Sequence, residues 1–86
     1  MPDVPEADPR FSEFIFFQAQ NAGLFLGQIP HPVTGEREIN LRAAKSVIDS
    51  LEMLVPKTYG NLAPAESKLL RSVLEKIGPL YQAALP

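Results

Sequence analysis

Leu41, Ala44, Val47, Ile48, Leu51, Leu54 and Val55 recur at the spacing of one side of an α-helix, while Arg42, Lys45, Ser46, Asp49 and Glu52 occupy the other side. Such a stripe is stable only when another apolar surface covers it, because packing rather than propensity holds most short helices together. A chain of 86 residues makes one small domain at most, so the cover has to come from the rest of the sequence or from a second molecule.

Two further segments offer helical faces. Asp8 and Pro9 open a first helix predicted from about Pro9 to Leu26, with Asp8 as the N-cap and Pro9 where a missing N–H costs nothing. Phe11, Ile15, Ala19, Ala22 and Leu26 share one side of it, and Gly27 fits a left-handed stop. Asn40 is the N-cap expected for the second helix. A third begins near Ala63-Pro64, with Glu66 in its first turn and a stripe of Leu69, Leu70, Val73, Leu74, Ile77 and Tyr81.

Proline punctuates the remainder. Pro30 and Pro32 exclude helix between the first two segments, and His31 to Gly35 reads as a type I turn followed by a left-handed glycine. Ile29 and Ile39 bracket that turn and are expected to pin its ends to the core. Pro56 is expected to end or kink the second helix, because its ring collides with the carbonyl of Glu52, and Gly78-Pro79 to break the third. The predicted fold class is therefore all-α, a small three-helix bundle with an irregular proline-rich hairpin between helices one and two. Residues 1–8 read as a flexible acidic proline-rich arm and residues 9–86 as the helical domain.

The chemistry that the sequence excludes is broad. With no cysteine and one histidine, His31, neither a disulfide framework nor a cysteine-based zinc site is expected, and no cofactor is implied. A net charge of -2, from 8 Lys+Arg and 10 Asp+Glu, does not suit nucleic acid; Lys68, Arg71 and Lys76 are spread among Glu66 and Glu75. His31 reads as a solvated turn residue and Glu36 with Glu38 as a solvated edge. Asp49 and Glu52 beside Lys45 read as a surface ion-pair set. The longest apolar stretch, Phe11 to Leu26, holds Ser12, Glu13, Gln18, Gln20 and Asn21 and is too short to span a membrane. The amino terminus lacks the basic and apolar regions of a secretory signal, so the expected location is cytoplasmic. No enzymatic activity is expected.

One feature stands above this background. All five phenylalanines, Phe11, Phe14, Phe16, Phe17 and Phe25, fall on the first helix, and two companion helices can cover only part of its circumference. Phe14, Phe16, Phe17, Leu24 and Phe25 are therefore the candidate interface, with a homo-oligomer, most simply a dimer, as the expected state. An unknown protein partner, a hydrophobic ligand or an amphipathic partner helix is the alternative occupant of the same surface, and the hairpin or the carboxy-terminal segment folded over the rings is the intramolecular alternative.

The middle of the chain carries a recognisable series of short motifs. Pro32, Thr34, Gly35 and Glu36 form a P-x-T-G-E turn; Asn40, Leu41, Ala44 and Lys45 a helix start; Asp49, Leu51, Met53 and Leu54 a D-x-L-x-M-L segment; and Lys57, Thr58, Gly60, Asn61, Leu62 and Pro64 a K-T-x-G-N-L-x-P link. In this order they resemble the bacterial domain-of-unknown-function 1844 family over roughly Phe11 to Leu74. The family carries no assigned activity, so the resemblance implies a helical fold and nothing catalytic. Ala63 replaces the family's usual hydroxyl residue, His31 stands where Asn is common, and Pro56 and Pro79 interrupt where a family helix continues.

Overall fold

The computed structural model describes residues 5–86. Three helices, α1 (Pro9–Phe25), α2 (Leu41–Lys57) and α3 (Pro64–Ala84), each pack against both others, and the described residues form no strand. The expected arm falls partly outside these residues, at 1–4; Pro5 to Ala7 are non-helical and Asp8 caps α1.

The inward stripes meet as the sequence predicts, except that Val55, placed on the α2 stripe, is exposed near the helix end. Ile15 and Ala22 of α1, Val47, Ile48 and Leu51 of α2, and Leu70, Val73 and Ile77 of α3 form one buried cluster, with Phe11, Ala19, Phe25, Leu54 and Tyr81 packed around it. Ile15 and Leu51 are wholly enclosed, and burying each contributes roughly 1.5–3 kcal/mol. α1 and α3 run in the same direction: Asp8 meets Glu66 at one end, while Ala19 and Gly23 share a groove with Ile77 and Leu80 towards the other. α2 returns between them.

Each helix start has a chemical cause. Asp8 Oδ1 accepts the Arg10 N–H at 2.9 Å, and Asn40 Oδ1 accepts the Ala43 N–H at 3.0 Å. Ala63 offers no side-chain cap, and Glu66 compensates by reaching back. Its Oε1 accepts the Ala63 N–H at 2.8 Å, and its Oε2 accepts the Asp8 N–H, 58 residues earlier in the chain, also at 2.8 Å. Glu66 is buried, and its charge sits at the N-terminus of α3, where the helix dipole favours an anion.

Of the two internal prolines, Pro56 marks the end of its helix to within one residue, as the sequence reading expects, and Pro79 is a correction to it. Pro56 lies inside α2, which runs on to Lys57. It is one residue from the helix end, and the Thr58 N–H still closes on the Leu54 carbonyl at 2.9 Å, so the turn survives. Pro79 lies inside an unbroken α3. A residue before proline is driven from the helical region by contacts that involve its own Cβ; Gly78 has none and stands in open space.

α1 ends one residue earlier than expected, at Phe25. Gly27 adopts φ +72°, the Gln28 N–H bonds the Gly23 carbonyl and the Gly27 N–H bonds that of Leu24, which is a Schellman stop. The loop then closes as an irregular hairpin without strands. An isolated antiparallel bridge joins Leu26 to Ile39, and the Asn40 N–H bonds the Phe25 carbonyl at 2.7 Å. Ile29 and Ile39 do not reach the core as expected. Both are exposed, Ile29 packing over Gly23 and Ile39 over Gly27, because the Schellman turn throws the loop across the outside of α1.

Candidate functional site

α1 distributes its five rings unequally. Phe11 and Phe25 pack against the core, whereas Phe14, Phe16 and Phe17 are 47%, 60% and 62% exposed. Neither the loop nor the end of α3 folds over them. Leu24 is half-buried. The five candidate residues therefore do not make one patch. At about 100° per residue, Phe17 and Leu24 lie within about 20° of each other and Phe14 about 60° to one side of Phe17. Phe16 lies about 100° away on the other side, close to the bearing of Gly23 and hence on the flank towards α3.

Each flank borders a concavity that the sequence reading missed. On the outer face, Gln20, Asn21, Leu24, Ile29, Pro30 and Pro32 line a hollow of about 200 Å³ between α1 and the loop. On the α3 side, Ala19, Gly23, Ile29, Val73, Ile77 and Leu80, with Gln28 and Lys76 among them, line an open groove of about 330 Å³. Gly27, whose positive φ turns the chain back, was the signal for the hollow; its walls depend on where the loop then lands, which no local pattern states.

The remaining candidates have local duties. His31 Nδ1 accepts the N–H groups of Val33 at 3.1 Å and Thr34 at 3.4 Å, so the ring is an internal acceptor of its turn, the part an asparagine oxygen plays in such turns. Thr34 Oγ1 accepts the Glu36 N–H, and Gly35 takes φ +73°. Glu36 and Glu38 border a small hollow with His31 and Asn40, but among the described residues no three acids or histidines gather as a metal-holding group. Lys45 Nζ pairs with Asp49 Oδ2 at 2.9 Å, the surface ion pair expected of α2, and that bond holds the lysine above its ordinary pKa. At the start of α1, the Arg10 side chain bonds both Asp8 oxygens and lowers the Asp8 pKa to about 2. No described helix is long and apolar enough to cross a membrane.

What the arrangement offers chemically is contact surface: aromatic rings, neutral amides and two mainly apolar concavities, with Lys76 the one charged residue in their walls. No curated protein and no solved structure matches the chain. The family model described as domain of unknown function DUF1844 matches residues 8–81. That span runs from the cap of α1 into the last turns of α3 and includes every motif on which the resemblance rested. The chain belongs to the domain-of-unknown-function 1844 family.

Proposed function

We propose that this protein is a small, non-catalytic interaction or scaffolding module that associates with itself through α1. The exposure of Phe14, Phe16 and Phe17 carries the reading. Each ring leaves about half of its surface in water and so forgoes roughly half of the 1.5–3 kcal/mol that full burial is worth, and exposed apolar surface on a small domain marks contact with another molecule. Gln18, Gln20 and Asn21 interleave with the rings and supply the orienting hydrogen bonds such a face needs. Light scattering of the purified chain at micromolar concentration is expected to give two or more protomers. A strictly monomeric species there overturns the reading.

The open groove beside Phe16 favours a second reading, in which α1 and α3 together hold a hydrophobic ligand or an amphipathic partner helix against Ala19, Gly23, Ile77 and Leu80. Thermal unfolding with and without a medium-chain fatty acid separates the two. A raised transition temperature that is abolished by Leu80→Glu supports a ligand groove. An unchanged one, with a multimeric mass, supports self-association alone.

A further inference from the structure

We infer that two copies pair through the outer face of α1, antiparallel about a two-fold axis near Gln20 and Asn21, with Phe17 of each copy seated in the other's hollow between α1 and the proline loop. This pairing rests on the self-association reading above and gives it a geometry. Phe17 and Leu24 are seven residues apart, almost two full turns, so they point the same way and stand about 10 Å apart along the helix. Leu24 is a wall of the hollow lined also by Gln20, Asn21, Ile29, Pro30 and Pro32. A ring and a receptacle on one helix face, offset along its axis, are self-complementary under one operation: a two-fold perpendicular to the helix, through the midpoint between them. Residue i then meets residue j while j meets i.

Size, area and charge agree with that operation. The hollow measures about 200 Å³; a cavity of about 150 Å³ accepts benzene. A standard interface covers about 800 Å² per copy, a little over half of it apolar, hence about 450 Å² of apolar surface. Phe14 and Phe17 alone leave roughly 200 Å² in water, and the same side of α1 adds the apolar walls of the hollow, Leu24, Ile29, Pro30 and Pro32. Residues on a two-fold face their own copies, where any charge repels itself. Here the midpoint holds two amides, Gln20 and Asn21, which donate and accept at once and so can pair with themselves. The only charged residues of α1, Arg10 and Glu13, lie well away from it.

Single-cysteine variants test the geometry without interference, since the chain has no cysteine. Under mild oxidation Gln20→Cys is expected to give a disulfide-linked dimer, because the two copies meet at the axis. Glu13→Cys is expected to give none, its copies lying about 22 Å apart in the antiparallel arrangement. Phe17→Glu is expected to reduce the scattering mass from two protomers to one with helical circular dichroism unchanged. Phe16→Glu, on the flank towards α3, is expected to leave two. A wild-type mass of one protomer overturns both the pairing and the reading beneath it. A two-protomer wild type overturns the pairing alone if Phe17→Glu stays dimeric or if Glu13→Cys cross-links as readily as Gln20→Cys, the mark of a parallel arrangement.

Discussion

α1 and α2 have the same length, 17 residues each, and sit in the same bundle, yet they treat their apolar side chains in opposite ways. α2 turns Ala44, Val47, Ile48 and Leu51 into the core and gives most of its outer side to charge and hydroxyls. α1 carries five phenylalanines to none on α2, buries only Ile15, Ala22 and Gly23, and leaves three rings largely outside. Hydrophobic content and contribution to the core are therefore separate quantities. What decides the contribution is whether the residues share one bearing, and the surplus on α1 is available to another molecule.

The largest test of that contrast pairs Leu51→Ala with Phe17→Ala. Leu51 is wholly enclosed, and its truncation is expected to cost about 2–5 kcal/mol in urea unfolding. Phe17→Ala is expected to stay within about 0.5 kcal/mol when measured at concentrations dilute enough to hold single protomers. Comparable losses from both would break the comparison, because the ring would then be part of the fold.

Next comes the fastening of α1. Glu66→Ala leaves the N–H groups of Ala63 and Asp8 without their acceptor, at an expected cost of about 1–3 kcal/mol. Faster amide exchange at Asp8 and Ala63 would show that the loss is at the clip. An unchanged unfolding midpoint would mean that water replaces the carboxylate freely.

The two N-caps sharpen the contrast further. Asn40→Ala is expected to cost about 1 kcal/mol at any pH, measured by urea unfolding, because an amide does not titrate. The Asp8 carboxylate does titrate. Its folded-state pKa of about 2 lies below the ordinary carboxylate value, so its contribution is fully present above about pH 4 and disappears as pH falls towards 2. Asp8→Asn is expected to flatten this small loss of stability between pH 4 and 2, whereas Asn40→Ala leaves its slope alone. An identical slope in Asp8→Asn would assign the acid sensitivity to another carboxylate.

How much of this was legible in the sequence follows from the same physics. Helix faces were readable because a period is a local property. Ile15, Ala22, Leu51, Leu70, Val73 and Ile77 all sit inside as their spacing requires. Caps at Asp8 and Asn40 were readable for the same reason. Pro56 lies one residue from the end of α2, as expected, but Pro79 does not break α3, because the penalty depends on neighbours and the residue before it is a glycine without Cβ. The reach of Glu66 to Asp8 crosses 58 residues and has no sequence signature. At the candidate site, the surplus of phenylalanine was plain, but its division between two flanks, and the hollow beside one of them, required knowing where the proline loop returns.

The clip between Glu66 and Asp8 also sets an order of events during synthesis. At a synthesis rate of about 5–20 residues per second, Asp8 exists for roughly 3 to 12 s before the carboxylate that accepts its N–H has been made. Within that interval α2 is made, so α1 can meet Val47, Ile48 and Leu51 before it is fastened to α3. The contact that ties the first helix down therefore closes only after α2 and the start of α3 have been made.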